Sequence, residues 1–311
     1  MNKNQEYKFK VAIIIPYFGK WPEYFNLYLY SCSKNPQIDF LYFTDCDIPA
    51  QIYPNTHFVR TTFTEYCNKV SEVLGIRFHP NHARKLCDVK PFYGIIHKED
   101  IKDYDFWGFA DIDLIYGDMS LYVNEQTLAK YDVITSHSIH LSGHFTLIRK
   151  NSKYTTIGYR VKKWKKKLES EDNLWIDESD FSKLIHPLLH IYRFFFFHGI
   201  NKLTNKMYKS HQIFLNRTQW LTPRLFFVEA YSTLDFIKGA EWKYNIHDGR
   251  LIPPRSVFGI PDNVGDNYLH FYLMKNGSYW KGENIYKIPD NFDFSLSNAI
   301  ITINQNGISV K

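Results

Sequence analysis

Cysteine is scarce and scattered in this 311-residue chain: the four residues Cys32, Cys46, Cys67 and Cys87 show no Cys-x-x-Cys spacing. That excludes a disulfide-knit scaffold and a zinc ribbon, and leaves reduced thiols in or near a core as the expectation. Long apolar runs are also missing. The richest, IHPLLHIYRFFFFHGI, is too short and too interrupted by His and Arg to cross a bilayer. The polar start MNKNQEYKFK leads straight into VAIIIP, so neither a signal-peptide core nor a spanning helix is expected there, and a cytoplasmic location is. There is no internal repeat and no low-complexity linker. Acid is absent from residues 181–228, a window that carries Lys183, Arg193, Lys202, Lys206, Lys209, Arg217 and Arg224, four histidines and four consecutive phenylalanines. The block RVKKWKKK lies just upstream.

The length suffices for a full core and for one large domain or a domain with a sizeable insertion. With 44% hydrophobic and 18% aromatic residues the chain reads as globular, with rings to spare for surfaces. A net charge of +6 is too small for this length to suggest nucleic acid as a partner. The basic, aromatic window instead suits an interfacial membrane surface, and equally a core helix with a solvated basic face.

The first half alternates strand-like and helix-like segments, the pattern of a mostly parallel sheet flanked by helices in an α/β fold. Strands are expected at residues 11–16, 40–44, 57–60, 106–110, 132–135 and 144–149. Helices are expected at 22–33, at 64–74 with Thr61 or Thr62 as cap, at 84–97 with a break at Pro91, and at 121–130. Beyond residue 150 a basic helix is expected over 151–168 and an apolar one from 179 towards 200, making the second half largely helical. Loops and small strands are expected after residue 251.

Asp-x-Asp occurs three times. Asp103 and Asp105 sit on the polar approach to a strand, and Asp45 and Asp47 follow the apolar run DFLYFT. Only Asp111 and Asp113, in FWGFADIDLIYGD around Ile112, have apolar sequence on both sides. Two carboxylates in such surroundings are costly to ionise unless a cation or hydrogen bonds compensate them, so they are candidates to hold Mg²⁺ or Mn²⁺, and through it phosphates. In open α/β sheets ligands lie beyond the carboxyl ends of strands. Pro16 to Gly19 are therefore candidate ligand contacts, with Tyr17 and Phe18 to stack a base or, alternatively, to pack in a turn or core, and Asp45 to accept from a base or ribose. In HARKLCDVKP, Arg84, Lys85 and Asp88 fall within about one helical turn. Arg84 or Lys85 facing the site neutralises phosphate, while Arg84 and Asp88 also suit a surface ion pair. His270, in YLHFYLMK, is flanked by apolar residues and reads alone as a core histidine.

The ordered segments IIIPYFG, LYFTD, KLCDVKP, FADIDLIYGD, SGHFTLIRK and the late LHF resemble the GT-A class of nucleotide-sugar-dependent glycosyltransferases, more narrowly those of bacterial capsule and lipopolysaccharide synthesis. The match covers residues 11–149, with one short motif at 268–275, and is loose over 151–267. The resemblance implies a Rossmann-like nucleotide-sugar-binding core over residues 1–150 and an acceptor- or membrane-facing region over 151–311. It implies a UDP-sugar donor and a glycan or polyprenyl-diphosphate-linked glycan acceptor at the inner membrane leaflet. By the same resemblance Asp111 and Asp113 contact ribose and metal, His270 adds a metal ligand, and Lys275 lies near the diphosphate. Gly143 and His144 border the donor sugar, and Asp177 or Glu178 in WIDESDF serves as base, although an acidic group before an apolar helix also suits capping. The competing readings are a nucleotide- or glycan-binding protein without catalysis and a haloacid-dehalogenase-like phosphatase, whose Asp-x-Asp usually lies near the amino terminus.

Overall fold

Apolar runs bounded by polar turns build the centre of the molecule. In the computed structural model, which describes residues 7–136, 140–186, 224–227, 241–254, 267–271, 286–289, 292–294, 299–304 and 306–310, these runs form strands β1 (Val11–Pro16), β2 (Asp39–Thr44), β3 (Thr56–Arg60) and β4 (Phe106–Ala110). All four are parallel. The short strand β5 (Leu114–Tyr116) follows β4, and β6 (Val133–Thr135), β7 (Phe145–Arg149) and β8 (Leu225–Phe227) complete a seven-stranded sheet in the order β3-β2-β1-β4-β7-β6-β8. Only β7 runs against its neighbours, so the sheet is mostly parallel as expected.

A sheet covered on both faces needs strands that are apolar at every position, which is why VAIIIP shows no polar alternation. Val11, Ile13 and Ile15 enter one core, and Ala12 and Ile14 the other. The first core is roofed by helix α1 (Phe25–Ser33), whose Phe25, Leu27, Tyr28 and Leu29 are buried. The second is roofed by α2 (Phe63–Leu74) and by the segment that follows it. Helix α2 starts where the sequence predicts: Thr62 accepts the Glu65 N–H, Glu65 bonds the Thr62 N–H, and Gly75 closes the helix at φ +62°. Residues 84–97 are a 3-10 run, Ala83–Phe92, and then the single turn α3 (Tyr93–Ile96). Pro91 lies at that change, because it cannot donate to a continuous α-helix.

Two expectations are corrected. After helix α4 (Glu125–Lys130), the basic stretch 151–168 is not one helix but 3-10 turns at Lys153–Thr155 and Ile157–Arg160 and the short α5 (Trp164–Leu168). The Thr155 hydroxyl bonds the Lys150 carbonyl and receives the Trp107 indole N–H, while Lys163 adopts φ +58°, and these tertiary and local demands break the helix. The second half is also not predominantly helical among the described residues. Helix α6 (Asp180–Ile185) begins near the expected place, and the remainder of that expected helix lies outside the described residues. The strands β9 (Glu241–Asn245), β10 (Leu251–Ile252), β12 (Ile300–Asn304) and β13 (Gly307–Val310) form a second sheet, and β11 (Tyr268–His270) pairs antiparallel with β5. Period-two alternation in EWKYN and IITIN buries Trp242, Tyr244, Ile301 and Ile303 in the core shared with α1.

The four cysteines are free, three of them buried. Among the described residues no helix is long and apolar enough to cross a membrane, and the basic window is described only at 181–186 and 224–227.

Strand β4 carries the acidic pair at its end, and its close packing rests on Gly108. A β-carbon there would stand 2.4 Å from the Thr146 carbonyl oxygen of the adjacent strand. We expect Gly108→Ala to lower unfolding stability by about 1–3 kcal/mol, the usual range for overpacking a tight core, as read by urea denaturation.

Candidate metal centre

The site lies where the sheet's strand order turns. Strand β1 has β2 on one side and β4 on the other, and the carboxyl ends beside such a reversal are where open α/β sheets bind their ligands. Asp111 follows the last residue of β4, Asp113 precedes the first of β5, and Ile112 between them is buried in the core. The pairing of β11 with β5 sets His270 opposite Leu114, and the Phe271 N–H bonds the Asp113 carbonyl. His270 Nε2 thereby lies 3.5 Å from Asp113 Oδ1, and one ligand atom from each of Asp111, Asp113 and His270 falls within 4.8 Å of the others. A residue 157 positions from Asp113 thus reaches it by strand register alone.

His144, expected beside a donor sugar, is instead buried behind this group. Its ring stacks on His270 with centroids 4.1 Å apart, and its Nε2 lies 2.9 Å from the Tyr268 hydroxyl. It fixes the plane of His270. Tyr24 is buried nearby against Phe271; burial foremost, and then the Asp113 carboxylate, push its phenol well above the ordinary value.

Lys90 is the residue that sequence reading missed. Its ammonium donates to Asp111 Oδ1 at 2.6 Å and to the Gly143 carbonyl at 2.8 Å, and lies 3.8 Å from Asp177 Oδ2. Burial alone disfavours its charge, but Asp111 foremost among the neighbouring acids outweighs this and holds it above the usual lysine value. The signal for it is slight: a lysine just before Pro91, inside a segment expected to be helical.

Gly143 is needed for close approach, though not as expected. A β-carbon there would lie 2.8 Å from both Asp177 Oδ2 and Glu178 Oε1, so the glycine makes room for carboxylates of this chain. Its N–H donates to Glu178 Oε1 at 3.0 Å. Asp177 is 3% exposed, and its Oδ1 has no hydrogen-bond partner among the described residues. Burial, opposed by Lys90 and reinforced by Glu178 and Asp111, pushes its carboxyl up to about 7.

Lys85 and Asp88 are brought near one another but not to a ligand surface. Both side chains are fully buried and bond at 2.9 Å, and Lys85 also donates to the carbonyls of Lys167 and Asp172. Asp88 receives the N–H groups of Leu174 and Ile176 at 2.8 and 2.9 Å. The pair therefore clamps the chain that leads into Asp177, in place of the phosphate contact expected of Lys85 and the surface pairing with Arg84 expected of Asp88. Arg84 is exposed on the 3-10 run.

Beyond β1, Tyr17 stacks on Trp21 at 5.0 Å, Trp21 stacks on Phe25 at 3.8 Å, and Phe18 packs against Phe63 and Tyr66. Pro16 is half-buried at the strand end. Asp45 is exposed, and its Oδ1 accepts the Gly19 N–H at 2.8 Å, which ties the two strand-end loops together. Lys275 lies outside the described residues.

These features define an α/β protein with a carboxylate–imidazole group at the switch point of its central sheet. The chain belongs to the family of unknown function DUF6625, whose profile matches residues 13–248. That span includes Lys90, Asp111, Asp113 and Asp177, while His270 lies beyond it. No curated protein matches the chain.

Because the Asp177 carboxyl is raised in the folded protein, the folded state binds this proton more tightly than the unfolded chain. Its contribution to stability is full below the ordinary carboxylate value and is lost as pH rises through about 7. Asp177→Asn should raise the melting temperature relative to wild type more at pH 8 than at pH 5, as measured by calorimetry. Lys85→Met, which strands the Asp88 charge, should cost about 3–5 kcal/mol in denaturant unfolding.

Proposed function

We propose that this protein is a divalent-cation-dependent glycosyltransferase of the GT-A type. It moves a sugar from a nucleotide-sugar, a UDP-sugar by preference of that class, to a hydroxyl of a glycan or polyprenyl-diphosphate-linked glycan in surface polysaccharide synthesis. The observation that carries this reading is the Asp111, Asp113 and His270 group at the carboxyl end of β4. Two carboxylates and one imidazole suit Mn²⁺ or Mg²⁺, the imidazole favouring Mn²⁺, and Asp111 keeps Oδ2 for the ion while Lys90 holds Oδ1. When bound, the cation supplies Lewis-acid stabilisation for charge on a departing diphosphate.

The chain's own groups carry the remainder of the chemistry. Lys90 orients Asp111 and keeps positive charge beside the carboxylates. Asp177 is favoured over Glu178 as acceptor of the attacking hydroxyl's proton. Glu178 Oε1 is engaged by Gly143, whereas Asp177 retains an oxygen without a partner among the described residues and titrates near neutrality. Tyr17, backed by the Trp21 and Phe25 stack, offers a ring to a base, and Asp45 keeps its second oxygen for a ribose or base donor. This reading carries with it a cytoplasmic location and a membrane-surface role for the basic window, with no nucleic-acid partner.

The test is calorimetric titration with UDP, GDP and CMP, each with Mn²⁺ and with EDTA, on the wild type and on Asp113→Ala. We expect one nucleotide to bind only with the cation, and the substitution to abolish that binding. Binding by none of the three removes the reading. Binding without release of nucleoside diphosphate from the corresponding nucleotide-sugar, in the presence of acceptor glycans, turns it into a non-catalytic binding protein.

A further inference from the structure

Trp175 combines two features that packing does not explain. Its backbone adopts φ +49°, left-handed and unfavourable for a residue with a β-carbon, and the residue is 57% exposed. Outliers of this kind persist only where the surroundings over-determine them, and they cluster at ligand clamps. The over-determination here is explicit. The N–H groups on either side, Leu174 and Ile176, both end on the buried Asp88 carboxylate, which Lys85 neutralises from within the core. The Trp175 N–H donates to Asn173 Oδ1, and its carbonyl receives the N–H and hydroxyl of Ser179. The peptide is fixed on all sides while a large apolar ring is turned to solvent two residues before Asp177.

The neighbourhood decides what covers that ring. Residues 171–180 hold five acids and no lysine or arginine: Glu171 and Asp172 are exposed, Glu178 and Asp180 are half-buried, with Lys167 paired to Asp180, and Asp177 is buried beneath them. Such a surface repels anionic lipid headgroups and phosphates. It suits a neutral, polyhydroxylated ring, whose C–H face lies on an indole while its hydroxyls donate to carboxylates. We infer that Trp175 is a stacking platform for a neutral pyranose, held in place by the Lys85–Asp88 pair. That this pyranose is the acceptor whose hydroxyl approaches Asp177 rests on the glycosyltransferase reading; the sugar site itself does not.

The full chain labelled with 5-fluorotryptophan tests this by fluorine NMR, with Trp175→Phe assigning the resonance among the seven tryptophans. The probes are methyl glycosides of glucose, galactose, mannose, rhamnose and N-acetylglucosamine, titrated to their solubility limits. We expect at least one to shift the Trp175 resonance saturably. The same glycoside should bind by saturation-transfer NMR to wild type, more weakly to Trp175→Phe and not to Trp175→Asn. Asparagine tolerates left-handed backbone better than tryptophan, so the Trp175→Asn protein should melt at or above the wild-type temperature. A marked fall in that temperature would identify the indole as a packing element and overturn the inference. So would a Trp175 resonance that no glycoside moves, or one that responds to phosphatidylglycerol vesicles instead. Should the wild type bind no nucleotide while a glycoside still moves Trp175, the transferase reading falls and the sugar site stands. Nucleotide binding without any sugar response would overturn the site alone.

Discussion

The Lys90 ammonium is the interaction on which the centre of this molecule depends. Asp111, Asp113, Asp177 and Glu178 converge on one end of the sheet, and like charges in a partly dry space cannot all ionise without compensation. Lys90 supplies it from inside. By bonding Asp111 and the Gly143 carbonyl while remaining close to Asp177, it joins the end of β4, the turn before β7 and the segment before α6. Charge that would otherwise push these elements apart instead holds them together.

The same 3-10 run carries a second buried lysine, five residues earlier, with a different task. Lys85 neutralises Asp88, and Asp88 draws in the backbone of residues 174–176. One short segment, Ala83–Phe92, thus fixes both the acidic pair at the strand end and the acids that face it. The two lysines divide positioning between them: Lys90 governs side-chain charge, and Lys85, through Asp88, governs where the chain runs and how Trp175 is presented. Loss of either leaves a buried carboxylate without its counter-charge, which is a larger disturbance than the loss of any surface ion pair.

Much of this was legible beforehand, for identifiable reasons. Strands β1, β2 and β4 were readable because burial on both faces demands uninterrupted apolar residues, and α2 because Thr62, Glu65 and Gly75 carry cap chemistry that needs no tertiary partner. Asp111 and Asp113 stood out because carboxylates inside an apolar run require an explanation. The stretch 151–168 was misread because its basic composition satisfies a helical pattern, whereas Thr155 and Trp107 impose a different one from outside the segment. The small strands expected after residue 251 are there as β10, β12 and β13, whereas β9 lies before that point and its pairing with them joins short segments far apart in the chain. Lys85 reads as a phosphate contact and Asp88 as half of a surface pair because charge in a sequence suggests solvent, and nothing local reveals that both are buried.

What the amino-acid sequence determined by itself is therefore the local part: the strands with unbroken apolar runs, the capped helix, the break at Pro91 and the chemical kind of the Asp111–Asp113 pair. These follow from backbone sterics, hydrophobic periodicity and the cost of burying charge, all of which act within a few residues. The tertiary structure alone decided that His270 meets Asp113, that His144 supports it from behind, that Lys90 rather than Lys85 faces the acids, and that Trp175 is turned outward. Those outcomes depend on strand register and on where buried charges find partners, and both are properties of distant segments brought together.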